Sequence, residues 1–234
     1  MVDLGDVQRA RRDPGLVVLE GFHAVKHAVR FGAELLGVWT ADPDELAALS
    51  ARLAPDVVLA PTVVELEALA AVVPRAQVVA LARRPRQLDP DGIVALDTPE
   101  PVILLEAPRH LGNLGAVVRV AAAAGAAGVI TTGAQDPWHA DALRGSAGLH
   151  FALPVARSRV IRTGDRPLIA LDPEGEVLRP GLIPPRAVLA FGTERDGLSE
   201  ELLAQADARI ALRMRPGVSS LNLATAVSAV LYSR

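Results

Sequence analysis

The sequence predicts an α/β protein, and three observations carry that prediction. Short apolar runs of four to six residues alternate with stretches of helical period. Gly and Pro cluster between the two kinds of segment, where turns belong. The stretch VILLEAPRHLGNLGAVVRVAAAAGAAGVI (102–130) reads strand, glycine loop, alanine-rich helix and second strand, the unit from which parallel sheets are assembled. Loops at the carboxyl ends of such strands converge on ligand sites. Arg119 is the one polar side chain of that otherwise bland helix. It follows Asn113 by a turn or so, which is expected to turn both toward one cleft.

The first half supplies its elements in order. LVVLE (16–20) is a strand, and 21–31 carries Phe22, Val25, Ala28 and Val29 at helical spacing, ending at Gly32. LLGVW (35–39) is a second strand. Pro43 opens a helix in its first turn, with Leu46, Leu49 and Leu53 on one face. VVLA (57–60) is expected to be a third strand, and Thr62 with Glu65 to form a capping box that starts the next helix. QVVALA (77–82) is a fourth strand. The polar, Pro-rich stretches RRPRQLDPDG (83–92) and DTPEP (97–101) flank a short apolar piece, 93–96, and mark the best linker in the chain. Two domains are expected, 1–96 and 97–234. No internal repeat or low-complexity tract is present.

The second half alternates again. After the opening unit comes a polar segment, 132–143, then RGSAGLHFALPV (144–155). IALD (169–172) is a strand ending in the turn PEG. VLAFG (188–192) and RIALRM (209–214) are further strands, and PGVSSLNLATAVSAVLYSR closes the chain as a helix with Leu223, Val227, Val230 and Leu231 on one stripe. A mostly parallel sheet follows.

Composition narrows the function. Half of the residues are apolar and only 3% aromatic, so the core is Ala/Val/Leu packing. With no cysteine, disulfides, thiol catalysis and Cys-held metals are excluded. His23 and His27 stand at i, i+4 but lack the Glu of a zinc helix, so no metal site is expected. The amino terminus has no apolar core and no run reaches transmembrane length, which predicts a cytoplasmic chain without membrane contact. The net charge of −3 is not that of a global nucleic-acid binder, yet arginine gathers at Arg9, Arg11 and Arg12, at Arg83, Arg84 and Arg86, and at Arg157, Arg159 and Arg162. Guanidinium groups suit bidentate phosphate contact, although a GC-rich genome produces the same bias.

Familiar motifs are missing. There is no P-loop, Gly112 to Gly115 lacks the third glycine of a dinucleotide fingerprint, and Arg144 stands where a nucleophile elbow needs glycine. Three strand-end segments remain: GNLGAVVR (112–119), FGTERDGL (191–198) and MRPGVSSLN (214–222). In this order, with the last near the carboxyl end and RGSAGLHFALPV between the first two, they resemble the three motifs of the SpoU/TrmH family of SPOUT methyltransferases. The resemblance covers about Val102 to Tyr232. Through VVLEGFHAVKHAV and VVALARRP, the first half is similar in outline to the small α/β/α RNA-binding domain many members carry. The sequence departs from the family pattern at Ala107 and His110 in the first motif, at Leu212-Arg213-Met214 in place of Ile-Pro-Met, and at Ala224 in place of serine.

The resemblance implies a carboxyl-terminal mostly parallel sheet with a trefoil knot, binding S-adenosyl-L-methionine, behind an amino-terminal RNA-binding domain. It implies a homodimer that methylates a ribose 2′-hydroxyl of RNA, with ribosomal RNA favoured over transfer RNA. Transfer RNA as substrate, or RNA binding without turnover on the same scaffold, are the alternatives. By motif position, Arg119, Asn113, Glu194, Ser220 and Asn222 make up the catalytic set. Leu171, Gly192, Leu212 and Leu221 hold the cofactor. Each residue also has a plainer reading: Arg119 as an exposed arginine, Asn113 as a helix cap, Glu194 as a loop acid, Ser219 or Ser220 as the cap of the last helix, Gly192 and Gly197 as turn glycines.

Overall fold

A computed structural model describes residues 2–193, 196–218 and 220–233. The chain divides into two compact units. One comprises 1–86 and 138–152; the other comprises 87–137 and 153–234.

The first unit is a small α/β/α layer. Helix α1 (Leu4–Ala10) is held at its start by a capping box in which Asp3 and Asp6 each accept the other's backbone N–H. Strand β1 (Leu16–Glu20) is followed by α2 (Phe22–Arg30), β2 (Leu35–Thr40) and α3 (Pro43–Leu53), which starts on Asp42 as cap and Pro43 as first residue. A two-residue β3 (Thr62–Val63), α4 (Leu66–Val72) and β4 (Val78–Arg83) complete it. The sheet order is β1-β4-β2-β3; β4 runs antiparallel to both neighbours and β3 parallel to β2. Val7, Val18, Trp39, Leu69, Val79 and Leu81 form its buried core, each large side chain contributing about 1.5–3 kcal/mol on burial.

Two expectations fail here for one reason. Residues 57–60 are not a strand: Val58 is 88% exposed, and Pro61 has no N–H to offer a neighbour. Pairing with β2 begins only at Thr62, which is therefore a strand residue. The helix start moves to Glu65, which caps α4 without a side-chain bond.

In the second unit, α5 (Pro90–Val94) is a single turn capped by Asp89 that buries Ile93 and Val94; the short apolar piece of the linker is thus core. Strand β5 (Val102–Leu105), α6 (Leu111–Ala123) and β6 (Gly128–Thr131) follow as the sequence predicts. The next helix, α7 (Ala140–Gly145), lies within the segment 138–152 that belongs to the first unit. There Trp138 packs edge-on against His150 and Phe151, and the buried Ser146 hydroxyl lies 2.7 Å from His150 Nδ1. Then come β7 (Val155–Arg157), β8 (Leu168–Val177), β9 (Val188–Phe191), α8 (Glu200–Gln205), β10 (Ala208–Ala211) and α9 (Leu223–Tyr232). The six-stranded sheet has the order β10-β8-β9-β5-β6-β7, and every pairing is parallel. Strands β5, β6 and β9 are buried along their whole length, as sheets covered on both faces require. Leu104, Ile130, Val188, Leu168, Ile93 and Leu202 share one core cluster of this unit.

Three boundaries differ from the expected ones. β8 continues through Pro173–Gly175 instead of turning there. β10 ends at Ala211, three residues early, because Leu212 to Met214 leave the sheet. α9 begins at Leu223, capped by Asn222, whose side chain accepts from the N–H groups of Ala224 and Thr225; Ser220 is not the cap, and Ser219 lies outside the described residues. In α6 the cap is His110, so Asn113 stands inside the helix.

Arg166 is 2% exposed, and among the described residues it forms no ion pair within 4 Å. Its guanidinium donates to four main-chain carbonyls, those of Val94 (2.7 Å), Leu96 (2.7 Å), Glu100 (2.9 Å) and Arg186 (3.1 Å). It ties the segment 94–100, and the carbonyl of Arg186 ahead of β9, to the start of β8. Burial lowers its pKa below the usual arginine value.

Candidate active site

Strand order reverses at β5, with β6 on one side and β9 on the other, and the site lies beyond the carboxyl ends on the β9 side. Residues of β8 and the chain leaving β9 and β10 line one pocket there: Leu171 from the first, Gly192 from the second, Leu212 from the third, then Ser220 and Leu221 ahead of α9. The pocket and its open mouth together hold roughly 710 Å³ of space. Phe191, Ile210, Met214 and Leu223 make its walls apolar.

The β9–α8 loop is shaped by its own backbone. Thr193 and Gly197 exchange N–H···O bonds of 3.0 and 3.2 Å, an antiparallel bridge. A Cβ on Gly192 would stand 2.0 Å from the carbonyl carbon of Gly197, so only glycine fits there. Gly197 itself has φ +69°. Gly192 and Gly197 thus meet backbone to backbone at the pocket wall.

Two cross-links hold this loop to the β5–α6 loop. Glu106, directly after β5, accepts the Ser199 backbone N–H at 2.7 Å and its hydroxyl at 2.6 Å; Ser199 Oγ in turn caps α8. Arg109 donates to Asp196 at 2.8 Å. These exposed groups add registry more than stability. Neither pair was singled out from the sequence, since partners 93 and 87 residues apart leave no local pattern. The strand-end position of Glu106, a charge at the end of a buried run, was its only local signal.

The structure brings Leu171, Gly192, Leu212, Ser220 and Leu221 together in the pocket. It joins Asn113 and Asn222 directly: Asn222 Nδ2 donates to Asn113 Oδ1 at 3.2 Å. It does not bring Arg119 into the lining. Arg119 is exposed on α6, about 9 Å along the axis from Asn113 and about 120° round it, so the two do not share a face. Among the described residues Arg119 makes no hydrogen bond or ion pair. Glu194 lies outside the described residues. Asp172 and Pro173, not singled out from the sequence, also line the pocket. Among the described residues no group of His, Asp or Glu is placed to hold a metal ion, and no helix is long and apolar enough to cross a membrane.

Relatives place this architecture. A tRNA/rRNA methyltransferase of Synechocystis sp., described as uncharacterized, is 32% identical over 178 residues, which are 65% of this chain and 63% of that one. The 23S rRNA (adenosine(1067)-2′-O)-methyltransferase of Streptomyces laurentii is 31% identical over 143 residues, 57% of this chain and 53% of that one. The match thus spans half to two-thirds of these curated relatives. Among solved structures, one described as an RNA 2′-O ribose methyltransferase superposes with a TM-score of 0.77 at 27% identity, covering 100% of this chain and 96% of that one. The SpoU methyltransferase AviRb of Streptomyces viridochromogenes, in complex with AdoMet, shares the fold with a TM-score of 0.78 at 24% identity, covering 98% and 95%. Residues 100–232, from just before β5 to the end of α9, match the model of the SpoU rRNA Methylase family, and the chain belongs to that family.

Proposed function

We propose that this chain is an S-adenosyl-L-methionine-dependent RNA ribose 2′-O-methyltransferase acting on ribosomal RNA. One observation carries the reading: residues of β8 and of the segments that follow β9 and β10 meet in one apolar pocket whose wall requires a glycine backbone. The names of the 23S rRNA-methylating relatives, and AdoMet in the AviRb structure, agree with it.

The pocket suits the methyl donor. Its apolar walls fit an adenine ring and an aliphatic chain, and Asp172 and Ser220 offer polar atoms beside them. When bound, the donor supplies an electrophilic methyl group. Leu171, Gly192, Leu212 and Leu221 would hold it and exclude water. Displacement at a methyl is in-line, so alignment supplies much of the rate. Asn113 and Asn222 fix the starts of α6 and α9 relative to each other. Arg119 would act outside the pocket, on the RNA. Its planar guanidinium can grip a phosphate next to the target ribose and stabilise the developing alkoxide. Glu194 and Ser220 complete the set by motif position.

The reading extends to the whole chain. The first unit would bind RNA; of its Phe and Trp residues Phe31 alone is exposed, hence phosphate and shape contacts. The segment from β10 through α9 would be threaded as a trefoil knot, the active form would be a homodimer, and the place of action the cytoplasm, where ribosomes are. Transfer of labelled methyl from S-adenosyl-L-methionine to total RNA, followed by mapping, tests it. Label on a ribose 2′-oxygen of ribosomal RNA is expected. Donor binding without transfer to any RNA would overturn the catalytic reading, and label confined to transfer RNA would overturn the substrate.

A further inference from the structure

Strand β8 contains an excursion that the sheet itself does not need. Its pairing with β10 runs Ala208↔Ile169 and Arg209↔Ala170, then jumps to Ile210↔Glu176 and Ala211↔Val177. One step along β10 thus spans six along β8, and Leu171–Gly175 are pushed out of the ladder, as in an extended bulge. The excursion is built. At Gly175 a Cβ would stand 2.5 Å from both the carbonyl carbon of Arg209 and the nitrogen of Ile210, so the two backbones meet where only glycine fits. Asp172 closes it from inside: Oδ1 accepts the N–H of Glu174 at 3.0 Å, and Oδ2 accepts from the Arg209 guanidinium at 3.3 Å.

The excursion presents Asp172 and Pro173 to the pocket. Among the described residues that line it, Asp172 alone has an ionisable side chain, and that side chain is only 12% exposed. Arg209 does not line the pocket; its side chain is 43% exposed and also reaches the carbonyl of Leu203. The ion pair thus joins a residue that lines the apolar cavity to one that does not. A carboxylate on a low-dielectric wall acts on a ligand charge more strongly than it would in water.

We propose that Asp172 is the specificity residue that makes the pocket prefer a cationic sulfonium donor over the neutral thioether that remains after methyl transfer. The two ligands differ by one methyl group and one positive charge, so shape and apolar contact treat them almost alike. A fixed negative charge is what separates them. It favours loading of the donor and departure of the co-product. This inference rests on the reading of the pocket as the donor site.

Titration calorimetry of the full chain with S-adenosyl-L-methionine and with S-adenosyl-L-homocysteine tests it without any RNA. Asp172→Asn should weaken the donor on the order of tenfold and the thioether by less than about twofold. Arg209→Gln breaks the same ion pair but leaves the carboxylate on the wall, so it should keep or raise the donor preference. Equal weakening of both ligands by Asp172→Asn would overturn the proposal, because the carboxylate would then be meeting a part common to both. Loss of the preference in Arg209→Gln would overturn it too, by making the pair merely structural. Absence of donor binding in the unaltered chain is a different result, and removes the proposed function itself.

Discussion

Asn222 joins two helix starts with one side chain. Its Oδ1 caps α9 through the N–H groups of Ala224 and Thr225, while its Nδ2 donates to Oδ1 of Asn113 within α6. The two functions can be separated chemically. Asp is as good a cap as Asn but cannot donate. Asn222→Asp should therefore hold stability within about 0.5 kcal/mol while breaking the link to Asn113, and Asn222→Ala should lose about 1 kcal/mol more with the cap. Methyl transfer should fall in both. If Asn222→Asp retains full transfer, the link has no role in the reaction.

Arg119 is exposed and, among the described residues, bonded to nothing, so its removal should cost the fold less than about 0.5 kcal/mol. It is outside the pocket lining, so donor affinity in calorimetry should not change either. Yet Arg119→Ala should lower single-turnover transfer at least about a hundredfold, the usual scale for losing a charged stabiliser of a developing oxyanion. Arg119→Lys keeps the charge but not the planar fork, and should recover part of it. Full transfer by Arg119→Ala would remove the residue from the mechanism.

How far the sequence spoke depended on the range of the interaction. Strands β1, β4, β5 and β9 announce themselves as apolar runs between turn residues, because burial on both faces leaves no other composition. The pocket residues were reachable only through the ordered motifs, since nothing in Leu171 or Leu221 alone signals a ligand. Helix α1 escaped notice because its capping box uses Asp at both places, over only seven residues. The excursion in β8 escaped because a register jump is a property of two strands, and PEG reads as a turn whether or not pairing resumes after it. The Glu106–Ser199 contact, and the packing of 138–152 with the first unit, are tertiary facts with no local signature.

The four carbonyls held by Arg166 make a stability prediction that owes nothing to catalysis. Arg166→Met matches much of the volume and supplies no donor, so the carbonyls of Val94, Glu100 and Arg186 lose a donor and that of Leu96 keeps the Thr98 N–H. Stability should fall by about 3 kcal/mol or more, read in thermal unfolding as a drop of roughly 6–12 °C for a chain of this size. Arg166→Lys reaches fewer of the four and should fall between. An unchanged melting temperature in Arg166→Met would show that those acceptors find water or other donors instead.

His27 gives the first unit a pH dependence whose sign follows from its surroundings. The ring is half-buried, with Nδ1 2.8 Å from the Ala147 carbonyl. Burial lowers its pKa below the usual 6.5; the Ala147 carbonyl opposes this, and the positive charges of Lys26, Arg30 and His23 add to the lowering. Below pH 6.5 the unfolded chain therefore binds a proton more readily than the folded one. Stability from this group is complete above pH 6.5 and is lost as pH falls through the lower folded value. Unfolding followed from pH 8 to pH 5 should show the first unit weakening below 6.5. Replacing His27 by Gln, which cannot take up the proton, should flatten that part of the curve. An identical slope in both proteins would place the acid sensitivity elsewhere.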